Sequence, residues 1–286
     1  MPRESNSTRL HYASHPRRWR DFVYVYPVIS RRSKGLSIGI NLSRDQACDF
    51  DCVYCQVDRA QPPDAGTVSF HILEAELRQL LADPAQIFQD EQLRDVPPDR
   101  RNVMDIAFSG DGEPTLSPAF PAAVGLVAEI KAQCRLDNAK IVVLTNAAHL
   151  RRATVIQTLA FLDAHNGEIW AKLDAGTQEQ FERVNGVHHS LDQIMQNLLV
   201  TGRVRPIVIQ SLFMRIDGEP PGSGEIAAYV GRLRWLLDGG ARFKLVQVYT
   251  VARRPAQDRV SRLTAEELES IAEAVRPLGI PVEVYA

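Results

Sequence analysis

The chain has 286 residues, 45% hydrophobic and 24% charged, with 33 Lys and Arg against 35 Asp and Glu for a net charge of −2. This is the composition of an ordinary soluble globular protein and not of a general nucleic-acid binder. No apolar run approaches the roughly 18 residues of a membrane span, and the N-terminus has no signal-peptide pattern. With four cysteines and no export signal, the expected location is the cytoplasm, with neither membrane nor DNA as partner.

In chain order, residues 1–35 form a basic arm. Arg3, Arg9, Arg17, Arg18, Arg20, Arg31, Arg32 and Lys34 face only Glu4 and Asp21. The arm reads either as a phosphate-contacting segment or, by preference, as a solvated segment packed over one end of the fold by Trp19, Phe22, Tyr24 and Tyr26. From residue 36 short β-rich runs alternate with helical patterns, as in parallel β-α units. The strands are expected at 36–42, 103–108, 141–145, 168–173, 207–213 and 243–251. Helical periodicity shows in Leu73, Leu77, Leu80 and Leu81, in Leu191, Ile194, Met195 and Leu198 behind a cap at Ser190, and in Ile226, Tyr229, Val230, Leu233 and Leu236. Thr264 to Glu267 make a capping box, Gly279 ends that helix, and a short strand at 282–285 closes the sequence.

Residues 84–101, with three prolines and many charges, read as a surface excursion; residues 217–224 read as a flexible loop after the fifth strand. The fold class expected is α/β: a partial (β/α)6 TIM-type barrel in one domain over 1–286. Its parts are the arm at 1–35, the barrel core at 36–252 and a C-terminal α/β extension at 253–286.

Chemistry concentrates after the first barrel strand, where Cys48, Cys52 and Cys55 stand in C-x3-C-x2-C spacing with Tyr54 before the last. Three thiolates can hold three irons of a [4Fe–4S] cluster and leave the fourth iron open. A Cys3His zinc site is the alternative, but the first histidine downstream is His71. Structural or electron-transfer use of the cysteines is another, which would make the chain a non-catalytic iron–sulfur or zinc-binding protein. Cys134 lies in a helical stretch and reads as a small buried hydrophobe.

The second strand leads into the turn Ser109 to Thr115, where Gly110 and Gly112 permit close backbone approach and Glu113 offers a carboxylate to an ammonium group. Alternation along 168–174 turns Ile169, Ala171 and Leu173 toward the helices and Trp170, Lys172 and Asp174 into the barrel. Lys172 and Asp174 are therefore candidates for a catalytic or ligand role, or a buried pair. Gln210, Gln247 and Tyr249 face the same interior and read as structural. Asn146, Arg253 and Arg254 follow strands and can contact a ligand; His188 and His189 are assigned no catalytic role.

Together these features resemble the radical S-adenosylmethionine (SAM) superfamily over about residues 36–252. The cysteine motif with Tyr54 is the most specific element. Asp111-Gly112-Glu113-Pro114 looks like the family's Gly-Gly-Glu-Pro turn, with Asp111 in place of the first glycine, and Thr145-Asn146 looks like its Thr-Asn element. The resemblance implies that Cys48, Cys52 and Cys55 bind the cluster and that Glu113 receives the SAM amino group. It also implies that Tyr54 lies along the adenine, and that Gly110, Asp111, Gly112 and Asn146 lie near the cofactor. It further implies reductive cleavage of SAM to a 5′-deoxyadenosyl radical, fed by a reductase or a flavodoxin- or ferredoxin-type donor. Phe108–Leu116, Trp170–Thr177 and Gln247–Arg253 look most like proteins grouped with the tRNA wyosine-synthesis enzymes, whose second-cluster cysteines this chain lacks. A tRNA base is then one substrate expected; activation of a glycyl-radical enzyme and modification of a small molecule or peptide are the others.

Overall fold

A curled sheet of eight strands organises the structure, a computed structural model that describes residues 19–57, 66–91, 93–187, 189–253, 255 and 257–286. Arg3, Arg9, Arg17, Arg18, His188 and Arg254 lie outside the described residues. The strands are β1 (Val25–Ser30), β2 (Gly35–Ile40), β3 (Val103–Phe108), β4 (Lys140–Thr145), β5 (Gly167–Lys172), β6 (Ile207–Leu212), β7 (Met214–Ile216), β8 (Phe243–Tyr249), β9 (Val260–Arg262) and β10 (Val282–Tyr285). The helices are α1 (Phe70–Ala82), α2 (Phe120–Gln133), α3 (Ala153–Asp163), α4 (Gln178–Asn185), α5 (Leu191–Val204), α6 (Ser223–Asp238) and α7 (Ala265–Val275).

The large sheet runs β1-β2-β3-β4-β5-β6-β8-β10. From β2 to β10 every pair is parallel, and only β1 joins antiparallel. The six expected strands are thus the heart of a half-barrel, with β10 adding the expected α/β extension. Apolar residues on the outer face of the sheet meet the helices in one continuous core, which holds Ile38, Ile106, Ile141, Ile169, Ile209 and Val246. On the inner face a small cluster of Ala107, Val142, Trp170 and Val208 fills the middle of the half-barrel. The alternation read along β5 holds on both faces. Among the described residues no helix is long and apolar enough to cross a membrane.

Three segments differ from their expectation. The aromatics of the arm are buried, as read, but residues 25–30 also form β1, an edge strand whose outward amides need partners. Glu76 of α1 fastens the entry to it, accepting the backbone N–H of Val23 and Tyr24 ahead of the strand and of Val25 at its start, at 2.5, 2.8 and 3.1 Å. Residues 84–101 run mostly exposed over the surface, as expected, but are anchored: Ile87 and Phe88 of a short 3₁₀ turn, and Leu93 and Val96 beyond it, are buried in the core. Prolines and charges there mask an apolar spacing too irregular for either regular period. Beyond the fifth expected strand, β7 pairs with β9 antiparallel before the loop begins.

The two edges of the sheet come together. The turn between β1 and β2 reaches β10, where Lys34 Nζ stands 2.8 Å from Glu283 and Arg31 donates to the Ala286 carbonyl. This contact bridges the open side of the half-barrel at one point.

Candidate functional site

Parallel strands present their C-terminal ends to one side, and the loops that leave them build the site, as in barrel enzymes generally. The cysteine loop leaves β2 and is fastened by backbone bonds to two other units. Glu113 N donates to the Ala47 carbonyl (3.0 Å), while Asp51 N and Val53 N donate to the carbonyls of Asn185 and Val184 at the end of α4 (2.9 Å each). Two glycines permit the approach. A Cβ on Gly112 would lie 2.1 Å from the Ala47 oxygen, and Gly186, at φ +62°, would put one 2.3 Å from the Asp51 oxygen.

Cys48, Cys52 and Cys55 line one cavity of about 350 Å³ with Gly110, Gly112, Glu113 and Asn146. None of the four cysteines forms a disulfide. Cys134 caps α2 and packs against the outer core. Burial pushes the Cys52 thiol up to about 12, and Asn185 Nδ2 donates to its sulfur at 3.3 Å. Among the described residues no three His, Cys, Asp or Glu side chains are grouped to hold one metal ion. The donor set, three thiols on one restrained loop with no histidine among them, suits a [4Fe–4S] cubane.

Glu113 is buried, and burial pushes its carboxyl up. Its Oε1 accepts from Thr115 N (3.1 Å), Thr115 Oγ1 (2.5 Å) and Thr145 Oγ1 (2.8 Å); its Oε2 accepts from Asn146 N (2.7 Å). The carboxylate therefore braces the turns after β3 and β4, and Oε2 keeps an acceptor position for an ammonium. Asp111 is bound through Asn41, whose Nδ2 donates to its Oδ2 at 2.6 Å. Asn146 Nδ2 donates to Asp49 Oδ1 (2.8 Å), and Asp49 Oδ2 stands 2.9 Å from His149 Nε2 and 3.6 Å from His189 Nε2. Burial alone would raise the Asp49 carboxyl, but His149 and Asn146 outweigh it and hold it below the ordinary value.

Across the cavity, Tyr54 Oη donates to Asp174 Oδ2 at 2.6 Å, Leu212 N donates to Oδ1 at 2.8 Å, and Lys172 Nζ lies 2.9 Å from Oδ1. Lys172 also donates to Tyr249 Oη at 2.7 Å. Burial alone would lower the Lys172 ammonium, yet Asp174 and Tyr249 hold it above the ordinary lysine value. Gln210 Nε2 donates to Gln247 Oε1 at 2.7 Å, and Arg253 lines the cavity rim.

Sequence reasoning brings together the cysteines, Glu113, Asn146, Lys172 and Asp174, and the structure places all of them on this cavity or in contact with its lining. It misses Asp49, His149 and Asn185, whose roles depend on contacts across 97 or more residues. The Asn-Gly pair at 185–186 is legible as a helix stop, but not as a support for a distant cysteine.

No protein-family model matches the chain. A GTPase Obg of Brachyspira hyodysenteriae is 22% identical over 251 residues, covering 85% of this chain and 32% of that protein. A UPF0026 protein of Methanocaldococcus jannaschii is 27% identical over 175 residues, 60% of this chain and 47% of that one. One of Synechocystis is 30% identical over 165 residues, 57% and 53%. The chain spans about a third to a half of the length of these curated relatives. Among solved structures, a radical SAM methyltransferase from Sphaerobacter thermophilus superposes at TM-score 0.62 and 14% identity, covering 91% of this chain and 68% of that one. The two share the half-barrel fold. A structure of TYW1 with a lysine-pyruvate adduct bound reaches TM-score 0.46 at 13% identity over 86% of this chain and 74% of that one, too low to argue from.

Proposed function

We propose that this chain is a radical SAM enzyme holding one [4Fe–4S] cluster on Cys48, Cys52 and Cys55. The observation that supports this reading most is the convergence of three thiols and the Glu113 carboxylate on one cavity at the C-terminal ends of the strands. When bound, the cluster and SAM would supply one-electron reductive cleavage of the cofactor's sulfonium bond and, through it, hydrogen abstraction from the substrate. The chain's own residues hold and shield. Glu113 Oε2 accepts the cofactor's ammonium, and Gly110, Asp111, Gly112 and Asn146 line its place. Tyr54, fixed by Asp174, would lie along the adenine, Lys172 and Asp174 are the candidates for a catalytic role, and a substrate buried in the half-barrel would shield a reactive intermediate from water.

The finer substrate reading is a tRNA base. It is supported by the resemblance to wyosine-synthesis enzymes and the basic excess in residues 1–35, and the reducing electron comes from a reductase or a flavodoxin- or ferredoxin-type donor. Anaerobic reconstitution with iron, sulfide, SAM and a strong reductant tests the class. 5′-Deoxyadenosine forms with the native chain and with Cys134→Ala, and not with Cys48→Ala, Cys52→Ala or Cys55→Ala. No product from a chain with its cluster present and reduced would refute the reading. For the tRNA reading, binding falls steeply with salt and with neutralisation of Arg17, Arg18 and Arg20; salt-insensitive or undetectable binding would remove it.

A further inference from the structure

The turn that bridges the open side of the half-barrel also carries a cation into it. Arg32 lies between the two residues that hold β10, Arg31 and Lys34, and lines the same cavity as the cysteines. Its guanidinium carbon sits 5.5 Å from the Trp170 ring centroid and 5.1 Å from that of Tyr249. Both rings belong to the inner face. Stacking of this kind fixes the plane of a guanidinium and leaves its edge to bind. Arg32 is half-buried; among the described residues no protein group accepts a hydrogen bond from its guanidinium, and its charge acts on Asp105 and Tyr285 without a direct ion pair. Two acids stand nearby: Asp105 feels the Arg32 charge but spends its hydrogen bond on Ser37 Oγ at 2.5 Å, and Glu113 is held by Thr115, Thr145 and Asn146.

A second polar group faces the cavity unanswered. Gln210 is 1% exposed and its Oε1 has no partner; exchanging the amide's oxygen and nitrogen would leave the other atom orphaned instead. An orphan buried amide atom costs about 1–3 kcal/mol, and here it points to a ligand with a polar group to match.

We propose that Arg32 is the receptor for an anionic group of the substrate, a carboxylate or a phosphate, bound at the edge of its guanidinium while Trp170 and Tyr249 hold the plane. This rests on the proposed function only in calling the ligand a substrate. Lys172 Nζ, 4.8 Å from the same Tyr249 ring, adds to the positive field but is already paired with Asp174.

The test titrates the full chain, without reductant, with inorganic phosphate and separately with acetate at constant ionic strength, following tryptophan fluorescence. Trp170→Phe identifies the part of the signal that arises at the stacked ring. A saturable change is expected, weakened tenfold or more by Arg32→Gln, less by Arg32→Lys, and unaltered by Arg276→Gln on the surface. Tighter phosphate binding assigns a phosphate-bearing substrate, and tighter acetate binding a carboxylate. No saturable response to either anion, or equal responses from the native chain and Arg32→Gln, overturns the proposal. Since no SAM cleavage is read, loss of anion binding sinks this inference alone, and absence of 5′-deoxyadenosine sinks the enzyme reading alone.

Discussion

Asp174→Asn isolates what the buried charge pair contributes. The Asp174 side chain is 0% exposed and that of Lys172 16%, and the carboxylate answers three donors, Tyr54 Oη, Leu212 N and Lys172 Nζ. Asparagine keeps an oxygen for Leu212 and can face Tyr54 with its amide. It cannot neutralise the ammonium, which is left with the Tyr249 hydroxyl alone. Stranding one partner of a buried pair costs about 3–5 kcal/mol, and at about 2–4 °C per kcal/mol for a chain of this order the midpoint should fall by roughly 6–20 °C. Urea unfolding followed by circular dichroism measures the change directly. Adding Lys172→Met removes the stranded charge and should return more than half of the loss. The double variant also separates the two roles considered for the pair: if stability returns while 5′-deoxyadenosine formation does not, the charges act in the reaction. A loss under about 0.5 kcal/mol for Asp174→Asn, the size of an ordinary surface change, or a double variant weaker than the single, would refute the reasoning.

Gly112→Ala places a Cβ 2.1 Å from the Ala47 oxygen, so the cysteine loop must move; iron bound per chain after reconstitution should drop severalfold while the circular dichroism stays native. Glu76→Leu strands three backbone N–H groups of residues 23–25 at about 1–3 kcal/mol each, and amide exchange at residues 23–25, where the chain enters β1, should accelerate sharply. Glu168 gives an acid-side signature. Burial alone would raise its carboxyl, but Lys244, Trp170 and Lys140 outweigh it and hold it below the ordinary glutamate value. The stabilisation is therefore full above the unfolded pKa of about 4.3 and is lost as pH falls through the lower folded value. Glu168→Gln should flatten that part of the stability curve; an unchanged acid limb would contradict the assignment.

The legible part of this molecule is what repeats or sits close in sequence. Strand alternation carries Trp170 and Lys172 to the inner face, and C-x3-C-x2-C with Glu113 marks the cavity mouth, because both signals are local. Glu76 was not legible, since nothing near it shows that a helical glutamate will answer the amides of a strand some fifty residues earlier. Arg32 looked like one basic residue among eight in the arm. Its meaning comes from the curl of the sheet, which brings residues 31–34 against 283–286, and no local pattern reports that contact. The same applies to the apolar side chains at 87, 88, 93 and 96, which find the core without regular periodicity.

The backbone bonds that tie residues 47–53 to Glu113, Val184 and Asn185 bear on when the loop's conformational entropy is lost. Ordering a residue costs about 1–2 kcal/mol, and these bonds, none of them made by a cysteine side chain, offset part of that cost. A zinc finger does the reverse, folding only as its metal binds. If the chain holds the proposed cluster, its assembly would meet a loop already tied to the barrel, and a chain stripped of iron should stay folded and accept iron again.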